Sequence, residues 1–187
     1  MQPTMTTDTD GTIRYQLNGK CHREDGPAVI SANGEQCWYL NGTCHRLDGP
    51  AIIDANGAQS WYLNGKCHRE DGPAFFGADG TQIWCLNDKR HREDGPAVIW
   101  PDGSQFWYIN GTCHREEGPA VIWADGKQYW YLHGEIHRED GPATIWEDGS
   151  QFWYINGKIY DFDDYCKQLK LSEEVIVFLK LKYNTND

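Results

Sequence analysis

The motif His-Arg-x-x-Gly-Pro-Ala begins at His22, His45, His68, His91, His114 and His137, always 23 residues apart with no insertion or deletion. A tryptophan keeps the same period at Trp38, Trp61, Trp84, Trp107, Trp130 and Trp153. Compositional bias cannot hold such a register over six copies. The chain is therefore a repeat array. Each unit of such an array is one supersecondary element that buries its apolar surface by stacking on its neighbours.

Glycine marks the corners. All but one of the 20 glycines fall in three columns: after Asp or Asn, in Gly-Pro-Ala, or closing an Asn-Gly or His-Gly pair. Between the corners the chain alternates as strands do. In the fifth unit Pro119-Ala120-Val121-Ile122-Trp123 leads through Ala124-Asp125-Gly126 into Lys127-Gln128-Tyr129-Trp130-Tyr131-Leu132. A three-residue x-Asp-Gly loop with a bulge at the glycine closes a hairpin, and Asn-Gly favours the tight type I′ turn. Each unit thus reads as a β-hairpin followed by a short return segment such as Lys66-Cys67-His68-Arg69. Asp88 stands once where the corner glycine belongs, and that turn should be the least comfortable.

Alternation puts Ala120, Ile122, Trp130 and Leu132 on one side, in columns that hardly vary among repeats. Val121, Trp123, Tyr129 and Tyr131 take the other, more variable side. The invariant side is the expected core face. Residues 1–9 have no pattern and are expected to be disordered. Six full repeats with a half unit at each end occupy residues 10–159. Residues 160–187 change period. Asp161 to Leu171 reads as a helix with Phe162, Tyr165, Cys166 and Leu169 on one face. Ser172 can cap a second helix carrying Glu173 and Glu174 in its first turn and a stripe of Val175, Phe178, Leu179 and Lys182. The fold class expected is an all-β repeat array. It would be an elongated, single-layer twisted antiparallel sheet of hairpins with a small C-terminal helical cap.

The pattern Trp-x-x-Asn-Gly-x-x-His-x-x-x-Gly, followed by Asp-Gly, resembles the MORN-type repeat in a 23-residue variant form. Residues 10–159 carry the resemblance. It implies an elongated sheet of successive hairpins and roles in protein scaffolding, sometimes lipid contact, or a platform beside a catalytic domain. Similar variant arrays are common in phages, giant viruses and bacteria, a setting that suits an inhibitor or adaptor.

Charge narrows the function. With 28 acidic and 17 basic residues the net charge is −11, which disfavours a nucleic-acid binder or a protein held on anionic lipid. Neither nucleic acid nor membrane is expected as a partner. The start Met1-Gln2-Pro3-Thr4-Met5-Thr6-Thr7-Asp8 has no basic, apolar leader, and no stretch approaches 18 apolar residues. Seven cysteines, an odd number in a chain that needs no staples, read as reduced thiols. The expected compartment is the cytoplasm.

Three constellations look chemical. The pairs Cys21-His22, Cys44-His45, Cys67-His68 and Cys113-His114 suggest a metal or a thiol nucleophile. Equivalent residues of neighbouring repeats, however, should lie roughly 9–10 Å apart, whereas zinc donors sit about 2.0–2.3 Å from one point. Arg90 and Ile136 also interrupt the cysteine column. No metal, cofactor or catalytic residue is expected. The His-Arg-Glu-Asp string recurs in four of six copies, with Leu47 in the Glu place once and Glu117 in the Asp place once, while catalysis needs one asymmetric pocket; loop carboxylates and Arg–acid pairs are the simpler reading. The aromatics are unequal along the chain. Trp100, Trp123 and Trp146 occupy places held earlier by Ser31, Asp54 and Gly77, and Phe106, Tyr129 and Phe152 places held by Cys37, Ser60 and Ile83. With Tyr108, Tyr131 and Tyr154 they form either a partner-binding patch, a face covered by the C-terminal helices, or drift.

The expected function is a non-enzymatic interaction module, a rigid β-repeat rod that docks a protein partner, in a phage or viral setting an inhibitor of a host defence protein. The alternative is a small-ligand or nucleotide sponge using stacked aromatics and arginine. The half unit from Thr12 to Asn18 leaves a strand edge, so a homodimer through that N-terminal edge is also expected.

Overall fold

A computed structural model describes residues 2–185. Met1 of the expected tail and residues 186–187 of the expected cap lie outside them. The chain divides into two compact units, Met1–Arg92 with Ala97–Pro101, and Glu93–Pro96 with Asp102–Asp187.

In the first unit an antiparallel sheet runs in chain order through Thr4–Thr7, Ile13–Leu17, Val29–Ile30, Gln36–Cys37, Ile52–Ile53, Gln59–Ser60, Phe75–Phe76, Gln82–Ile83 and Val98–Ile99. The second unit continues the pattern through Gln105–Phe106, Val121–Ile122, Gln128–Tyr129, Thr144–Ile145, Gln151–Ile155 and Lys158–Tyr160. Two helices follow, α1 (Phe162–Leu169) and α2 (Glu173–Tyr183). The chain is thus an all-β repeat array with a C-terminal helical pair.

The corner residues explain the hairpins. At the three-residue loops Ser31 N–H donates to Glu35 O at 2.9 Å, Gly34 sits at φ +92°, and the Asn33 side chain accepts from Glu35 N–H. At the Asn-Gly turns both residues have positive φ, as in Asn64 (+52°) and Gly65 (+77°), which is the type I′ geometry. Asp88 is forced to +66° in the glycine place. Its carboxylate accepts the Cys67 N–H at 2.8 Å, a hydrogen bond that offsets part of the strain.

Each repeat leaves the sheet at its tryptophan. Trp61 N–H donates to Ala74 O of the next repeat, and the chain then forms a second, smaller hairpin, Tyr62–Leu63 with Lys66–Cys67. These small hairpins bond to one another through Arg46 N–H to Tyr62 O and Gly65 N–H to Cys44 O. A repeat therefore contributes to two rows of strands.

Burial corrects the expected core face. The Gly-Pro-Ala alanines Ala28, Ala51, Ala74, Ala97, Ala120 and Ala143 are all 0% exposed. The tryptophan, leucine and isoleucine columns of that side are mostly half-buried, whereas Val29, Val98 and Thr144 of the supposedly outer side are buried. The isoleucines lie opposite glutamines, as in Ile53↔Gln59 and Ile122↔Gln128. Invariance here follows from matching one repeat to the next across the strands, not from depth.

The tail expectation also fails. Thr4–Thr7 is a strand, in register Thr4↔Gln16 to Thr7↔Ile13. Its three threonines have the β-branched shape that suits an edge strand. This strand covers the edge of Ile13–Leu17, so the open edge on which a homodimer was expected is occupied.

The helices start where their caps require. Asp161 accepts from Asp164 N–H, and Ser172 from Val175 N–H. In α1, Tyr165 and Cys166 are buried and Phe162 and Leu169 partly so. In α2 the inward face is Ile176, Leu179 and Tyr183, while Val175, Val177, Phe178 and Leu181 are exposed. The expected stripe was rotated, because the nearly continuous apolar run Val175–Leu181 gives no polar face to orient it.

Candidate functional site

Phe106, Val121, Tyr129, Thr144 and Phe152 lie directly opposite one another across four strand pairings of the second unit. Directly opposed residues share a sheet face, so these strands carry one aromatic row. Trp123 and Trp146 follow two residues after Val121 and Thr144. Trp123 meets Phe106 edge-on at 4.9 Å between ring centroids, and Trp146 meets Phe152 at 5.7 Å. Both tryptophans remain 44% exposed. Trp100 follows Val98–Ile99 in the first unit and is 40% exposed.

The tyrosines Tyr108 and Tyr131 belong to the small hairpins, and Tyr154 to the long strand Gln151–Ile155. Burial pushes the Tyr131 pKa up, with Cys113, Tyr129, Tyr108 and Tyr154 acting on it in smaller degree.

The helices do not take this face as their core. Their apolar cluster is built on Trp153 and Ile155, with Tyr165, Cys166 and Leu179. Trp153 is only 5% exposed beneath Phe162, Tyr165 and Tyr183. A covering of Trp123 and Trp146 by the helices is therefore overturned. In the first unit the same columns hold Cys37, Ser60 and Ile83. Cys37 is buried and its thiol donates to Glu35 at 3.2 Å; burial first, then Glu35, push its pKa up to about 12.

The His-Arg-Glu-Asp string is structural in a way that sequence reasoning missed. Each described arginine of the motif lies over the aromatic ring eight residues earlier, 4.0–4.1 Å from its centroid: Arg23 on Tyr15, Arg46 on Trp38, Arg69 on Trp61, Arg92 on Trp84, Arg115 on Trp107 and Arg138 on Trp130. Arg46 also donates to Asp48 at 2.9 Å and to Pro50 O at 3.2 Å. Arg23, Arg69 and Arg138 make the corresponding bonds. These bonds hold Asp25, Asp48 and Asp71 below the usual carboxylate range. At Glu117, one methylene longer than aspartate, the local backbone changes and Gly118 moves to φ +103°.

The histidines look across to the next turn. His22 Nδ1 accepts the Asn41 N–H at 3.1 Å, and His45, His68, His114 and His137 accept the equivalent N–H in their own neighbours. That donor makes Nδ1 the acceptor at His22, His68, His114 and His137, whereas at His45 the Asn64 Oδ1 also lies 2.9 Å from Nδ1. The cysteines beside them are reduced, and burial pushes Cys44 and Cys113 up to about 11. A hydrogen bond with Cys85, then burial, raises Cys67 further. Such thiols are poor nucleophiles at neutral pH. Among the described residues no three His, Cys, Asp or Glu side chains converge where a metal could sit.

One departure in the motif column gains its meaning only from the structure. Leu47 replaces its glutamate and is 82% exposed. It lines two neighbouring grooves of about 690 and 600 Å³, the first with Trp38 and Leu40, the second with Trp61 and Leu63. The signal was a single departure from an otherwise acidic column. Among the described residues no helix is long and apolar enough to cross a membrane. No family model matches the chain, and no curated protein matches it either.

Proposed function

We propose that the chain is a non-enzymatic interaction module, a MORN-variant β-repeat array that docks a protein partner through its aromatic sheet face. The observation that carries this reading is the exposure of Trp123 and Trp146 in adjacent repeats beside the row Phe106, Tyr129 and Phe152, while the helices pack elsewhere. Tryptophan and tyrosine dominate binding hot spots because a flat, rigid ring desolvates a large area at small entropic cost. Tyr108, Tyr131 and Tyr154 extend the candidate surface within the second unit, and Trp100 presents a ring of the same column as Trp123 in the first. Seven reduced thiols support a cytoplasmic setting. In a phage or viral context the partner is a host defence protein held inactive. The sponge alternative needs arginines for phosphate, and Arg23, Arg46, Arg69 and Arg138 are already committed to a ring, a carboxylate and a carbonyl.

The test uses residues the fold already accepts. Trp123→Ser with Trp146→Asp installs what Ser31 and Asp54 provide in earlier repeats. The parent should capture from host lysate a specific protein that the double variant loses, with both giving the same circular dichroism. Identical captured sets from the two proteins would refute the reading.

A further inference from the structure

Leu47 breaks the motif column where nothing in the fold asks for it. At 82% exposure it buries almost nothing. Its neighbours in the column, one repeat before and one after, are Glu24 and Glu70, whose side chains are 85% exposed. His22 and His68 approach these glutamates through Nε2 at 3.7 and 3.6 Å, and the nearby arginines are engaged elsewhere. Arg23, Arg46 and Arg69 are paired with Asp25, Asp48 and Asp71 at 2.8–2.9 Å. The surface is therefore acidic, apolar, acidic in three successive repeats, above two grooves that Trp38 and Trp61 help to line.

Spacing selects the ligand. Each repeat adds two strands to the sheet, so equivalent residues advance by about 9–10 Å per repeat. A polyproline-II helix has three residues per turn and a rise near 3.1 Å, so every third residue returns to one face after about 9.3 Å. A β-strand would turn its third residue to the opposite face. An α-helix covers only about 4.5 Å in three residues. Aromatic-lined grooves are also the usual seat of polyproline-II ligands.

We propose that the paired grooves astride Leu47 dock a polyproline-II segment of a partner protein, carrying a basic residue, an apolar residue and a second basic residue at every third position. The apolar side chain meets Leu47, and the basic ones meet Glu24 and Glu70. This site is separate from the aromatic face and stands or falls independently of it.

The probe is a fluorescein-labelled peptide with the core Lys-Pro-Pro-Leu-Pro-Pro-Lys, followed by fluorescence anisotropy. The control, Lys-Pro-Leu-Pro-Pro-Pro-Lys, has the same composition with the leucine out of step. The matched peptide should bind at least tenfold more tightly. Leu47→Glu restores the residue of the other five repeats and should fold as the parent does. It should lose that tenfold preference and favour Lys-Pro-Pro-Lys-Pro-Pro-Lys. Trp123→Ser should bind the matched peptide as the parent does. Equal affinity for matched and control peptides, or indifference to Leu47→Glu, would overturn the proposal. Sedimentation in which Leu47→Glu halves the mass would assign the patch to a second copy of the chain and overturn it equally.

Discussion

Trp153 and Trp107 occupy the same column of the repeat, yet their removal should have different consequences. Trp107 lies under the Arg115 guanidinium at 4.0 Å and is half-buried. Trp153 has no following repeat; Phe162, Tyr165 and Tyr183 surround it at 5.0, 4.7 and 5.7 Å, and it is 5% exposed. A fully buried Trp→Ala change costs about 3–5 kcal/mol, and three ring contacts at about 0.5–1.5 kcal/mol each place Trp153→Ala at the upper end. Trp107→Ala loses roughly half that buried area and one cation–π contact of about 0.5–1 kcal/mol, so about 2 kcal/mol is expected. The loss at Trp153 falls on a ring that contacts both helices. Thermal and urea unfolding followed at 222 nm should show the helical signal of Trp153→Ala melting ahead of the sheet. Trp107→Ala should melt with both signals together. If Trp153→Ala unfolds in one transition, no less stable than Trp107→Ala, then the helices are not held through this ring and the argument is wrong.

Three further outcomes follow from local chemistry. Asp88→Gly should match or exceed the parent's stability, because relief of the +66° φ, about 1 kcal/mol, offsets loss of the Cys67 N–H bond; Asp88→Ala keeps the strain, loses the bond, and should melt lower than both. Thr144 is buried with no partner for its hydroxyl; Thr144→Val, the residue of three other repeats, should raise stability by about 1 kcal/mol in urea titrations. Asp10, Asp79 and Asp148 are held below the usual carboxylate pKa by the backbone N–H two residues on. A folded pKa below the unfolded one gives stability that is complete above the unfolded value of about 3.9 and lost as pH falls through the folded one. Replacing all three by asparagine, which makes the same turn at Asn33 and Asn56, should flatten the pH dependence of melting below about pH 4. An unchanged acid profile would show that these turns do not govern it.

The hairpins, the half units and both helices were legible because their signals are local. A glycine every few residues, Asn-Gly pairs and a change of period at residue 160 each act within one turn of chain. The strand Thr4–Thr7 was not legible. It belongs to no repeat, all four residues are exposed, and only its partner Ile13–Leu17 gives it a place. The stacking of arginine on tryptophan was equally hidden. Eight residues and an Asn-Gly or equivalent turn separate the two, and composition alone suggested ion pairs. The aromatic row could be drawn from sequence because alternation fixes sides. Whether the helices would cover it depended on the rotation of α2, which the apolar run Val175–Leu181 leaves open. Leu47 was noticed only as an exception among the acids, since exposure is a property of the folded loop.

The eight-residue interval between each ring and its covering arginine also sets a schedule for synthesis. As the chain leaves the ribosome at about 5–20 residues per second, Trp38 waits only until Arg46 emerges, about 0.4–1.6 seconds. The array can therefore close behind itself, with no more than one indole of the arginine-covered column waiting for its guanidinium at a time. Trp153 is the exception. Its last cover, Tyr183, is thirty residues further on, so this ring stays open for about 2–6 seconds. During that interval the growing end presents an uncovered tryptophan beside an unfinished strand edge. It is the moment at which a chaperone, or a neighbouring nascent copy, has the best opportunity to engage the protein.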